Sequence, residues 1–278
     1  MSVIYAVLTS FSIGLSDFFA SSITKRTSPN EVTSATLLAG VVVMAVAAVF
    51  WSGDPTTSDL LYGAFAGAAN GVGILLYFVA FSRGSLRSTA PTAAVVMAGV
   101  PVVWDVLVLG SSLSTVTSIG LSIGVVAIAL SSYGGGNPDS GPTVLVTAVL
   151  AGVVFGILLI LLSYIGGDAG GSPLLLQRVV AFLIAISVTR ATGPRIFPRE
   201  RSDFIVSFFG VGLFAIAAVI LFVLALREGN LAMASVVGSQ YAAVAVILGV
   251  VVRGQRMRWW QGLGLGGSSL AVALIVIG

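Results

Sequence analysis

The chain has 278 residues, 57% hydrophobic and 8% charged, with a net charge of +3 and a mean hydropathy of +1.10. A soluble domain needs roughly 25% charged residues to cover a wetted surface, so a soluble globular protein is excluded and lipid is the solvent that fits. Cysteine and histidine are absent; this removes disulfides, thiol chemistry, haem ligation and most transition-metal sites. No cofactor and no metal is expected, and any proton chemistry rests on carboxylates.

A spanning helix needs about 20 apolar residues, and ten stretches qualify. Span 1, over 3–22, resembles a signal peptide in length, but it lacks a basic leading segment and Asp17 interrupts it, so it reads as a retained span. Ser10, Gly14, Asp17 and Ser21 recur at helical spacing and make one small, polar face, which turns Asp17 toward the protein interior or a wet cavity. As a functional group Asp17 is a proton or substrate-amine site; as a structural one it reaches the interface or pairs with Lys25 or Arg26. Span 2 covers 32–52, after Ser28-Pro29-Asn30, and ends near Trp51.

Span 3, over 60–82, carries Gly63, Gly67 and Gly71, a ladder that favours close helix packing. Asn70 and Tyr77 share a face with Gly67, and Asn70 at mid-membrane needs a hydrogen-bond partner, either a ligand or another helix. Span 4 is 88–109, with Trp104 and Asp105 near its far end, where Trp104 is either interfacial or an outer gate. Span 5 is 115–133 and is followed by Gly134-Gly135-Gly136-Asn137-Pro138.

Span 6 covers 143–165 and leads through Gly166-Gly167-Asp168 into span 7, 173–192. Arg178 lies about one and a half turns into span 7; it either snorkels to headgroups or serves as an anion-binding or gating charge. Span 8 is 203–227, and at the positions of Asn70 and Tyr77 it has Ala215 and Phe222. Span 9, 231–252, places Ser239, Gln240 and Tyr241 at its middle, as pocket residues or as interhelical hydrogen-bonding groups. Span 10 is 259–277, and Trp259 and Trp260 open it as interfacial anchors.

Eleven of the 13 Lys and Arg residues fall in the connections after odd-numbered spans: Lys25, Arg26, Arg83, Arg87, Arg190, Arg195, Arg199, Arg201, Arg253, Arg256 and Arg258. The positive-inside rule puts these loops in the cytoplasm and both termini outside. The expected location is a bacterial inner membrane. The basic residues are thereby explained by topology, and no nucleic-acid partner is expected.

The halves repeat weakly but in order, at an offset of 144 or 145. Ala80-Phe81-Ser82-Arg83-Gly84-Ser85-Leu86 matches Ala225-Leu226-Arg227-Glu228-Gly229-Asn230-Leu231; Ser28-Pro29 matches Ser172-Pro173, Gly67 matches Gly212, and Gly120 matches Gly264. Five spans per half force opposite orientations. The expected fold is therefore an all-α membrane protein of ten transmembrane helices, arranged as two inverted five-helix repeats over 1–138 and 139–278.

Ser239-Gln240-Tyr241-Ala242, an apolar run, Gly254-Gln255-Arg256-Met257, then Gln261 and Gly264 carry a family pattern. With the weaker copy in the first half, Ala90-Pro91, Gly110 to Ser114 and Gly120, the chain resembles the drug/metabolite transporter superfamily, in its ten-span members with two EamA-type repeats. Those members often show Ser-Leu-Tyr-Pro and Gly-Glu-Arg-Leu at these places. The proline position here is Ala242, and the glutamate positions are Gln255 and Ser111, so the family carboxylates have no counterpart. The resemblance implies a cavity between the halves and export of amino acids, related metabolites or toxic compounds.

No P-loop, zinc-protease or nucleophile-elbow motif is present, and Asp17 and Asp105 sit toward opposite faces as a poor catalytic dyad. The expectation is a non-enzymatic secondary carrier of small organic metabolites, with the bilayer and a small-molecule substrate as partners and protons as a candidate coupling ion. Monomer and homodimer both fit. The competing class is a membrane scaffold or accessory subunit in which Asp17, Asn70 and Gln240 satisfy one another within a closed core.

Overall fold

The structure, a computed structural model, describes residues 2–108, 110, 112, 114–132, 141–228, 241–254 and 258–277. Among them are ten helical stretches: α1 (Ser2–Ile23), α2 (Pro29–Phe50), α3 (Thr57–Arg83), α4 (Leu86–Leu107), α5 (Thr115–Ser132), α6 (Pro142–Ser163), α7 (Ser172–Thr192), α8, α9 (Tyr241–Arg253) and α10 (Trp259–Ile277). Helix α8 is composite: a turn over Arg201–Ile205, a π segment over Val206–Leu213 and an α segment over Phe214–Glu228. There is no strand among the described residues. Five helices are long and apolar enough to cross a membrane, and shorter apolar helices accompany them. The chain is an all-α membrane protein, because in lipid a helix satisfies its own backbone donors and acceptors.

The expected spans coincide with these helices to within a few residues, apart from the start of span 9, which lies outside the described residues along with Gly134–Pro138. Helix starts are set locally. Pro29, Pro142 and Pro173 occupy first-turn positions, where the missing N–H costs nothing. Thr56 and Asp59 form a capping box on α3: the Thr56 hydroxyl accepts from the Asp59 N–H, and the Asp59 carboxylate accepts from the Thr56 N–H at 2.8 Å. The same carboxylate accepts the Gly166 N–H at 2.7 Å, which pins the α6–α7 connection to the start of α3.

Helix α3 packs along α6 and α7, and α8 packs along α1 and α2. Helix α4 lies on α6, α9 on α1, and α5 on α10. Small residues make the closest of these contacts. A Cβ on Gly63 or Gly67 would fall 2.5 Å from the carbonyl oxygen of Pro173 or Gln177, and one on Gly71 would fall 2.9 Å from that of Ala181. On α8, a Cβ on Gly212 would fall 2.5 Å from the Ala39 side chain of α2. The glycine ladder of α3 is thus a packing seam, and its backbone approaches α7 more closely than any larger residue allows.

Pro91 and Pro101 lie inside α4. Each removes a backbone N–H, so the carbonyls of Arg87 and Met97 lose their intrahelical donors. The largest buried cluster includes Ile23, Val32, Phe78, Phe81, Tyr77 and Tyr241, and sits toward the end of the molecule where the basic loops gather, here termed the basic end.

Gly67→Leu is expected to destabilise the fold by about 1–3 kcal/mol or more through overpacking against the α7 backbone. Thermal unfolding of detergent-solubilised protein measures this; Leu substituted at exposed Val72 serves as the control, with no expected loss.

Candidate functional site

The polar face of α1 is buried as its spacing requires: Ser10, Asp17 and Ser21 are all nearly inaccessible. The Tyr77 hydroxyl of α3 donates to Asp17 Oδ2 at 2.8 Å. Asp17 is 5% exposed. The alternative partners are engaged elsewhere: Lys25 Nζ donates to the Gly84 carbonyl at 2.6 Å, and Arg26 pairs with Asp203 at 2.8 Å. Tyr241 of α9 is buried in the same core cluster as Tyr77. Three helices, two from the first half of the chain and one from the second, therefore bring a carboxylate and two phenols into one closed region. The Tyr77 ring is held by Phe81, with centroids 4.3 Å apart, and by Phe155 at 5.7 Å.

One step toward the basic end, Arg253 of α9 closes over α1. Its guanidinium lies 3.9 Å from the centroid of the Phe18 ring, donates to the Phe18 carbonyl at 2.5 Å and donates to Ser21 Oγ at 3.2 Å. A cation over an aromatic face, with two charge-assisted hydrogen bonds, is a strong and directional contact. It covers the Asp17 cluster from that end.

Asn70 is 5% exposed, and its Nδ2 has no hydrogen-bond partner. It lies seven residues from Tyr77 on α3, about 10 Å along the axis, so it does not join the Asp17–Tyr77 pair. Trp104 stands at the opposite end of the molecule, part-exposed, with Nε1 donating to the Tyr164 hydroxyl at 3.4 Å; Tyr164 stacks on Tyr62 at 5.2 Å. An aromatic cluster from α3, α4 and the end of α6 thus surrounds Trp104. Ser239 and Gln240 lie outside the described residues, as do Gln255–Met257 of the motif and the side chain of Asp105.

Arg178 packs its stem on a neighbouring helix. It is 6% exposed, and its stem lies against α2, where a Cβ on Gly40 would fall 3.2 Å from Arg178 Cδ. Depth along α7 sets its height, and the residue's rotation puts its stem against α2.

Residues 1–133 match the EamA-like transporter family. The match covers 133 of the 278 residues, just under half of the chain. A solved crystal structure, 15% identical in sequence, superposes with a TM-score of 0.65 over 97% of this chain and 97% of its own, so the shared fold runs the full length. No curated protein matches the chain. An EamA-like half within ten helical stretches makes this an integral, multi-pass membrane protein of drug/metabolite transporter type.

Two features of this EamA-like chain carry no legible sequence signal. One is the π segment of α8, which exposes the Ser207 and Val211 carbonyls to hydroxyl donors on neighbouring helices: Thr36 Oγ1 at 3.3 Å and Ser16 Oγ at 3.0 Å. Only the hydroxyls themselves, on the buried faces of α1 and α2, hint at such acceptors. The other is the Arg253 clamp, which looks in sequence like one more topology-setting cation.

Tyr77→Phe removes the hydroxyl donor to Asp17 and is expected to cost about 1–3 kcal/mol, the penalty for a buried acceptor left unmade. Asp17→Asn keeps an acceptor for Tyr77 and is expected to stay closer to wild type. Unfolding in a detergent series compares the two; equal stability of Tyr77→Phe and wild type would remove the pair as a structural element.

Proposed function

We propose that the protein is a secondary carrier, working as an exporter of small organic metabolites such as amino acids or amphipathic compounds, with alternating access between two inverted repeats over 1–138 and 139–278. The observation that carries this reading is the pairing of helices. Exchanging each helix with the one five places later turns α3 on α6 and α7 into α8 on α1 and α2, and turns α4 on α6 into α9 on α1. The contacts α5 on α10 and α2 on α7 map onto themselves. Gly67 faces α7 as Gly212 faces α2. An interlocked pair of equivalent halves has two equivalent ways to tilt, which is the mechanical requirement for opening a central site to one side and then the other.

Asp17 with Tyr77 and Tyr241 forms the substrate or proton site in this scheme, joined by Ser239, Gln240 and Asn70 along the pathway. Trp104 closes the outer end. The Arg253 clamp closes the inner one. The scaffold alternative requires Asp17, Asn70 and Gln240 to satisfy one another; Asp17 instead takes Tyr77, Asn70 Nδ2 is left over, and Gln240 lies outside the described residues. An unfilled donor in a finished core favours a carrier over a scaffold.

Reconstituted protein is expected to give saturable flux of at least one member of a panel of amino acids and amphipathic metabolites, stimulated by an imposed pH gradient. Asp17→Asn is expected to keep flux and lose the gradient dependence. No flux across a broad panel, from folded and inserted protein, would defeat the carrier reading. Orientation has its own test, clean because the chain lacks cysteine: a cysteine at exposed Asp54 is expected to react with an impermeant thiol reagent from outside the cell, and one at exposed Arg199 only after the membrane is opened.

A further inference from the structure

Arg178 and Asn70 are two buried donors for which the fold supplies no acceptor. Arg178 is 6% exposed, with no ion pair among the described residues, and Asn70, 5% exposed, has an unpartnered Nδ2. The Arg178 nitrogens are not among the fully inaccessible unpartnered atoms, so the guanidinium keeps a small accessible surface at which an anion can reach it. The three helices around it do not provide one. Helix α7 has no acidic residue, α2 has only Glu31 in its first turn, and α3 has only Asp59, which is taken by Gly166 and Thr56.

The glycine seam places the two donors together. Gly67 meets Gln177 and Gly71 meets Ala181, so α3 and α7 run parallel with a fixed register. In that register Asn70 and Arg178 differ in height by two residues, about 3 Å. At about 100° per residue, Asn70 is turned from the seam in one sense on α3, and Arg178 in the opposite sense on α7. For parallel helices seen side by side, these rotations carry both residues to the same side of the seam. That is the side of α2: Arg178 lies on Gly40, and Ala181, Ala185 and Ile74 pack on Leu37.

We infer that Arg178 and Asn70 form a binding site for a carboxylate, presented by the transported molecule in the space between α2, α3 and α7. Arg178 gives the planar, charged fork that matches two carboxylate oxygens, and the Asn70 amide gives a neutral donor at the same level. Both orphans are donors, so the ligand group is acceptor-only, and the substrate class narrows to small organic acids and amino acids rather than amines or neutral amphiphiles. The assignment rests on the carrier reading for its biological meaning, and on the two orphaned donors for its chemistry.

Binding is tested apart from flux. Thermal unfolding of the purified full chain is followed in a bulky sulfonate buffer with added acetate, benzoate, alanine, chloride or inorganic phosphate, and with acetamide and benzamide as neutral isosteres. Carboxylates are expected to raise the Tm by several degrees and the amides to leave it unchanged. Arg178→Met, which removes the unpaired charge, is expected to be at least as stable as wild type without ligand and to lose the carboxylate shift; Asn70→Ala is expected to weaken apparent affinity about tenfold.

A shift given by chloride or phosphate alone would overturn the carboxylate assignment, in favour of an inorganic ion or a lipid headgroup. No shift with any anion, or an undiminished shift in Arg178→Met, would overturn the site itself. In proteoliposomes, unchanged KM for carboxylate flux in Arg178→Met would sink the site and leave the carrier standing. A carboxylate shift lost in Arg178→Met, without flux of any substrate by wild type, would leave the site standing and sink the carrier.

Discussion

The glycine seam between α3 and α7 is the contact on which the polar interior depends. Helices in lipid gain nothing from hiding apolar surface from one another, so association rests on close packing. Gly63, Gly67 and Gly71 bring the α3 backbone against the carbonyls of Pro173, Gln177 and Ala181, and every later residue on either helix then has a fixed height and rotation. Tyr77 is aimed at Asp17 because the seam turns it there. Arg178 lies against α2 for the same reason. A looser helix pair would let these side chains find water, lipid headgroups or one another, and the distinction between satisfied and unsatisfied groups would vanish.

Hydrogen bonding divides the buried polar groups into two populations. Most serve the fold. Thr33, Ser34 and Thr189 return their hydroxyls to carbonyls four residues back, and Ser34 and Thr189 also meet across α2 and α7 at 3.0 Å. Ser16 and Thr36 cap the carbonyls bared by the π segment of α8. Such bonds need no ligand, and they explain why a chain so poor in charge still holds many buried hydroxyls. Asn70 Nδ2, with the hydroxyls of Thr89, Thr92 and Ser268, belongs to the second population, which finds no partner on neighbouring helices.

The sequence carries the helices plainly, because a twenty-residue apolar run has one solution in lipid. The seam is legible for the same kind of reason: glycine every four residues has a single physical use. Rotation is where legibility falls away. The burial of Asp17 follows from a face of four small or polar residues, yet its partner cannot be read from α1, since Tyr77 sits 60 residues on and is positioned by packing with α6 and α7. Depth along α7 leaves the role of Arg178 open, because it does not say which neighbour the side chain faces. The π segment depends on an extra residue accommodated between α1 and α2, which no local propensity encodes.

The two ends of the molecule are held by different chemistry. At the end opposite the basic loops, backbone does the joining: the Asp54 N–H donates to the Asp168 carbonyl at 3.0 Å, the Gly171 N–H donates to that of Trp51 at 3.0 Å, and Asp59 holds Gly166. At the basic end, long cations do it: Lys25 on the α3 terminus, Arg26 on Asp203 and Arg253 on Phe18. Backbone bonds between short loops are stiff and stay made. A lysine or arginine swings on a flexible stem and exchanges one carbonyl for another, or for water, at small cost. The two ends therefore differ in stiffness. Arg253 sits one turn from Asp17, so a change at the Asp17–Tyr77 pair that shifts the α1 backbone also shifts the Phe18 carbonyl that Arg253 holds.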